Sequence, residues 1–248
     1  MSIVYVLWLR QLKRFVRSRA RIVGALGQPV LYLVALGFGL GPIFERAGQG
    51  SYIQFLAPGV IAMTVLFTSI FSGIELIWDR QFGFLKETLV APVPRLTIMI
   101  GRTLGGATVA VIQGIVVFAV CVLAGFRITG VAALPGALVF TALIALLFTA
   151  LGTAIASVLQ DFQGFQLVMN FLVMPIFFLS GALFPLSHVP RLLGLIAAVD
   201  PLAYGVDGLR SALIGIAHFG AATDLAVLAT LSAIFLALGS YLFSRIQL

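Results

Sequence analysis

Charge is scarce in this sequence. Of 248 residues only 9% are Asp, Glu, Lys or Arg and 61% are hydrophobic, where an ordinary soluble domain carries roughly 25% charge. The mean hydropathy is +1.17. A soluble fold has to clothe itself in polar and charged groups, and this chain has too few. Disorder is excluded by the same numbers, since it needs low hydrophobicity and dense charge. The solvent for most of the chain is lipid.

Other shortages exclude chemistry. A single cysteine, Cys121, rules out an intramolecular disulfide, and within its apolar run it reads as a small buried hydrophobe. The only lysines are Lys13 and Lys86, neither after a glycine-rich loop, and no Gly-x-x-x-x-Gly-Lys-Ser/Thr occurs, so the chain carries no nucleotide site of that kind. Gly37, Gly39 and Gly41 lie inside an apolar run and serve close helix packing. His188 and His218 have no acidic or cysteine neighbour at metal-ligand spacing. No Ser, Cys or Thr sits in a nucleophile turn.

What is abundant is apolar length. Charges punctuate the sequence, leaving six uncharged runs of 20 to 33 residues. About 20 apolar residues cross the hydrocarbon core as a helix. The runs predict spans over 22–44, 55–77, 100–124, 133–158, 163–184 and 223–243. They are apolar all round, which excludes the alternating segments of a barrel. The first run is too long for a signal peptide and is read as a retained span. With six spans both ends lie on one side. That side holds eleven Lys and Arg against four on the other, so both termini are expected in the cytoplasm.

Residues 2–21 are basic and amphipathic. Arg10, Arg14, Arg17 and Arg21 form one helical stripe, and Val4, Trp8, Leu12, Phe15 and Val16 lie largely on another. This pattern predicts an interfacial helix with its cations toward anionic lipid; a plain topology anchor is the alternative. After span 2, Phe82, Leu85 and Leu89 recur at helical spacing until Pro92 and Pro94 end the helix. A short amphipathic helix there is either a docking surface for a cytoplasmic partner or a lipid-anchored loop. Residues 181–215 are apolar but broken by Pro185, Pro190 and Pro201, which predicts a re-entrant helical segment before the last span. The expected fold is an all-α membrane protein, one transmembrane domain over residues 1–248.

Two polar stripes cross the apolar runs. Thr64, Thr68, Ser72 and Glu75 share a face of span 2, and Gln163, Gln166 and Asn170 share a face of span 5. Each either packs helices together or lines a substrate path. Pro175 is expected to kink span 5 beside its stripe.

Three motifs carry a resemblance. The first runs from Asp79-Arg80-Gln81-Phe82-Gly83-Phe84-Leu85-Lys86-Glu87 to Pro94-Arg95. The second is Leu179-Ser180-Gly181-Ala182-Leu183-Phe184-Pro185-Leu186 with Val189-Pro190. The third is Asp200-Pro201-Leu202-Ala203-Tyr204-Gly205-Val206-Asp207-Gly208-Leu209-Arg210. In order and spacing they resemble type 2 ABC-transporter permeases, the exporters of the drug, nodulation-factor and polysaccharide kind.

The resemblance implies a half-transporter that pairs with a second permease copy and with a separate ATP-binding subunit, which holds the ATP and Mg. It implies docking by residues 2–21, with Arg10, Arg14 and Arg17, and by a coupling helix over 79–91, with Asp79, Arg80, Phe82, Gly83, Leu85, Lys86, Glu87 and Leu89. Residues 185–210 would cap the exit. The implied place is the bacterial inner membrane. An ion-coupled carrier using Glu75, or a membrane assembly factor, stand as the alternatives.

Overall fold

The computed structural model describes residues 3–47, 50–83, 93–159, 161–186 and 189–245. Among the described residues the chain is helical, with no strand. Six helices are long and apolar enough to cross a membrane: Ile22–Arg46, Tyr52–Gln81, Arg95–Leu123, Ala133–Val158, Phe162–Leu179 and Ala221–Ser244, here spans 1 to 6. The chain is an all-α, multi-pass membrane protein. An N-terminal helix, Ile3–Arg17, precedes the spans. Between spans 5 and 6 lies a pair of helices, Arg191–Val199 and Pro201–Ile214, bent by 90°.

Boundaries differ from those expected where local chemistry intervenes. Span 3 starts at Arg95 rather than at residue 100, because Pro94 sits at its N-cap and pre-sets the entry of the chain. Span 5 stops at Leu179 rather than at 184, because Gly181 takes a left-handed φ of 73° and turns the chain. The bent pair runs on to Ile214, past the expected 210, and ends at left-handed Gly215. Span 2 continues through Gln81 to a turn at Phe82–Gly83. The rest of the expected coupling helix, 84–91, lies outside the described residues.

Small residues set the closest packing. A Cβ on Gly73 of span 2 would collide with the Gly152 carbonyl of span 4, and a Cβ on Gly152 would lie 2.7 Å from the Ile70 carbonyl. The two backbones therefore touch, as helices without a hydrophobic driving force between them tend to pack. The same device seats the N-terminal helix. Cβ atoms on Gly101 and Gly105 would meet Leu7 Cβ at 3.0 Å and Gln11 Cγ at 2.6 Å. Trp8 Nε1 also donates to Thr108 Oγ1 at 3.0 Å. The helix thus packs along the near end of span 3.

On the side away from the termini, the second and third motifs interlock. Asp200 caps the Pro201–Ile214 helix by accepting from the Leu202 N–H at 2.8 Å. Arg210 stacks 4.0 Å above the Phe55 ring and donates to the Gly181 carbonyl at 3.1 Å. Asp207 accepts from the N–H groups of His218 and Phe219, at 2.8 and 2.7 Å. Tyr52 Oη donates to the Leu183 carbonyl at 2.8 Å. Asp200, Asp207 and Arg210 each keep at least one such bond, although Asp200 Oδ2 and Arg210 Nε have no partner.

Span 5 does not simply kink at Pro175. Its backbone widens into a π turn over Met169–Val173, just ahead of the proline, which accommodates the missing N–H and the ring. Span 1 holds a similar turn over Leu33–Phe38, between Pro29 and Pro42.

Candidate docking face and membrane cavity

The basic stripe of the N-terminal helix meets the acidic end of span 2. Arg10 Nη2 lies 3.3 Å from Asp79 Oδ1, and Arg14 Nη1 lies 3.3 Å from Glu75 Oε2. Asp79 also accepts from Arg102 of span 3. Both carboxylates are buried, while Arg10 and Arg14 stay partly exposed. A buried carboxylate without a cation would be costly, so these pairs dictate where the helix sits. Arg17 is exposed. Arg102 was missed as a site residue, although a lone arginine followed by an apolar run is itself a signal that a carboxylate must be near.

Arg80 points the other way. It donates to the carbonyls of Leu159 and Ser157 at 2.9 and 3.0 Å. These are end-of-helix carbonyls of span 4, which lack intrahelical partners and favour a cation. Arg80 therefore binds the end of span 2 to the end of span 4. Beyond it, Phe82 is 72% exposed and Gly83 takes a φ of 80°. Leu85, Lys86, Glu87 and Leu89 lie outside the described residues.

The span-2 stripe faces a cavity of about 460 Å³. Thr64, Thr68, Ser72 and Glu75 all line it, across from the N-terminal helix and the first turns of span 1. Two of their hydroxyls bond within their own helix: Thr64 Oγ1 donates to the Val60 carbonyl at 2.9 Å and Ser72 Oγ to the Ser69 carbonyl at 2.6 Å. Gln113 of span 3 and Gln28 of span 1 join the lining. Neither was singled out from sequence, though a glutamine within an apolar run carries the same signal as the stripe.

The span-5 stripe lies elsewhere. Gln163, Gln166 and Asn170 are exposed and do not reach the cavity. Gln166 Nε2 approaches Asn170 Oδ1 at 3.5 Å, a contact along one helix face. The structure thus separates two groups of residues that sequence spacing treated alike.

Comparisons with known proteins agree with one another. A family model described as "ABC-2 type transporter" matches residues 3–214. Nodulation protein J of Rhizobium leguminosarum bv. viciae is 32% identical over 198 residues, 79% of this chain and 76% of that protein. Nodulation protein J of Rhizobium leguminosarum bv. trifolii is 30% identical over 213 residues, 85% of this chain and 78% of that protein. The transport permease ycf38 of Porphyra purpurea is 33% identical over 202 residues, 78% of this chain and 68% of that protein.

Proposed function

The chain belongs to the ABC-2 type transporter family, as a permease, and from that premise we propose that it is the membrane subunit of an ATP-driven exporter. Membership implies association with an ATP-binding subunit. In this reading that partner holds the ATP and Mg and this chain binds neither. Both termini face the cytoplasm, on the basic side of the bacterial inner membrane. The cargo is amphipathic: lipid-like, drug-like or glycan-linked.

The clasp on the terminal side is the observation that carries the coupling. Arg10–Asp79 and Arg14–Glu75 join the N-terminal helix to span 2, and Arg80 joins span 2 to span 4. Force applied to the segment after Gln81 is then passed to three elements together. A partner that presses on the exposed Phe82 moves the bundle as a body rather than one loop, which is what alternating access requires. The docking residues in this reading are Phe82, Gly83 and the segment through Leu89, with Arg17 on the adjacent helix. Asp79, Arg80, Arg10 and Arg14 position them.

A second copy of the chain answers the span-5 stripe. Three amide side chains on an exposed face of a span are poorly solvated by lipid, and a twofold partner presents matching amides. The two stripes then flank a path between copies.

The test is purification of the tagged chain from its native membranes in mild detergent. An ATP-hydrolysing subunit is expected at one per permease chain. Phe82→Ser, at an exposed position, should lose that subunit without unfolding the permease. A permease that comes alone, with flux abolished by an uncoupler and indifferent to ATP, would replace this reading with a carrier using Glu75. Stable partners with no flux would make the chain an assembly factor.

A further inference from the structure

Span 6 begins on a carboxyl group that has nowhere to put a charge. Asp224 lies in its first turn and heads its buried face, followed by Leu228 and Ser232. It is fully buried, and neither of its carboxyl oxygens meets a hydrogen-bond donor. The free N–H groups of a first turn often serve an acid there, yet none reaches this one. A carboxylate so placed costs far more than the neutral acid.

Its neighbour is a second acid. Asp207 of the Pro201–Ile214 helix is also buried, but it is well supplied. It accepts from the N–H groups of His218, Phe219 and Gly220 at 2.8, 2.7 and 3.5 Å. The Arg210 guanidinium is near enough to offset its charge. Asp224 stands one turn beyond that loop, its own N–H on the Gly220 carbonyl at 3.0 Å. The two carboxyl groups lie within hydrogen-bonding reach of one another.

Two carboxylates are both acceptors and cannot bond. A proton on Asp224 makes it a donor to Asp207, and carboxyl groups crowded in this way hold one proton between them. A bound cation is the other remedy for paired acids. Here the N–H groups around Asp207 would repel it, and a divalent ion needs at least about six oxygen ligands. Other charged or titratable groups are few. Span 4, packed along span 6, has none. Span 3 has Cys121, and its Arg95 and Arg102 lie toward the terminal side. The Pro201–Ile214 helix adds Tyr204 and Arg210, and the loop adds the exposed His218. None of them donates to Asp224.

We propose that Asp224 and Asp207 share one proton and form a pH-sensitive latch, fastening the start of span 6 to the re-entrant helix on the side away from the termini. Loss of the proton sets two negative charges side by side in a buried site. The loop between Gly215 and Gly220, which take positive φ of 74° and 99°, is the element that yields. The latch holds at acid pH and releases as pH rises. Its contribution to stability falls in the same sense, because over that interval the folded chain binds more protons than the unfolded one. It involves no ATPase and stands or falls apart from docking.

The test reads the proton directly, by infrared spectroscopy of the full chain in detergent. Asp200→Asn serves as background, since Asp200 is buried with one oxygen unpartnered and asparagine keeps its helix cap. The remaining acids among the described residues outside the pair are exposed or paired with arginine. At about pH 7 this protein should show the C=O stretch of a protonated carboxylic acid, shifted in heavy water and lost by about pH 10. Adding Asp224→Asn should remove the band, and Asp224→Glu should keep it. No band, or one that survives Asp224→Asn, would overturn the shared proton.

Thermal melts then test the latch. Asp224→Asn offers Asp207 an N–H donor at every pH. Its melting point should match the wild type at about pH 5 and exceed it by about 3 °C or more at about pH 9. An offset that is the same at every pH would overturn the latch and leave the pair a packing contact. The infrared band is read with both acids in place, so the proton remains testable even where Asp224→Asn does not fold.

Discussion

Spans 2 and 5 carry polar stripes of the same kind, yet they occupy opposite environments. Of the apolar window in span 2, 72% of residues are buried inside the chain; in span 5 the figure is 22%. Span 2 is wrapped by spans 3 and 4 and by the Pro201–Ile214 helix, so its stripe faces an internal cavity. Span 5 stands at the edge, and its amides face outward. A polar stripe thus reports only that lipid alone is not the neighbour. It does not say whether the neighbour is the same chain or another.

The difference is best broken at the anchor of the enclosed span. Asp79→Ala leaves Arg102 buried without its carboxylate, and removing one partner of a buried pair typically costs about 3–5 kcal/mol. Thermal unfolding in detergent should show that loss. An effect below about 1 kcal/mol would mean the cluster is solvated, and the clasp would lose its coupling role.

Next in size is Gly73→Ala, which drives a methyl into the Gly152 carbonyl. Overpacking of this sort costs about 1–3 kcal/mol. Gly39 and Gly41 of span 1 do not serve the close packing expected of them, since a Cβ on either meets open space, so Gly41→Ala should not destabilise and should gain at most about 1 kcal/mol of helix propensity. The pair of values, read from the same melts, measures how unequal the spans are; equal values would refute the enclosed-versus-edge distinction.

A third substitution addresses the edge. Gln166→Leu with Asn170→Leu should leave the unfolding of the single chain unchanged. It should weaken association between copies, on the order of 1 kcal/mol for the two amides, seen as lower energy transfer between labelled copies in nanodiscs. Unchanged association would leave the span-5 stripe facing something other than a second copy. A modest effect is expected of Ser72→Ala, which removes a bond to its own helix and should cost about 0.5–1 kcal/mol in the same melts. A much larger cost would show that the hydroxyl is part of an interhelical network.

The residues behind these contrasts were unequally visible. Gln163 and Thr64 look alike in sequence, since spacing fixes a face but not what covers it. Arg80 sits in the motif taken for docking, but it caps the end of span 4, a contact 77 to 79 residues away that no local pattern encodes. Arg10 and Arg14 were read as cations for lipid or for a partner. Folding instead sets them against Asp79 and Glu75, because the glycines of span 3 let the N-terminal helix approach. Gln113 drew no notice, yet it is fully buried with an amide oxygen that lacks a donor.

By itself the sequence determined the solvent, the helical class, the six crossings, and the break before the last of them. These follow from the length of apolar runs and the placing of proline, glycine and charge, which act on a chain locally and need no partner. Only the tertiary structure decided which stripe lies inside, which cations are paired, and where the cavity opens. Those depend on which helices touch, and in lipid that is settled by close backbone contact at small residues and by buried polar groups finding one another across long separations.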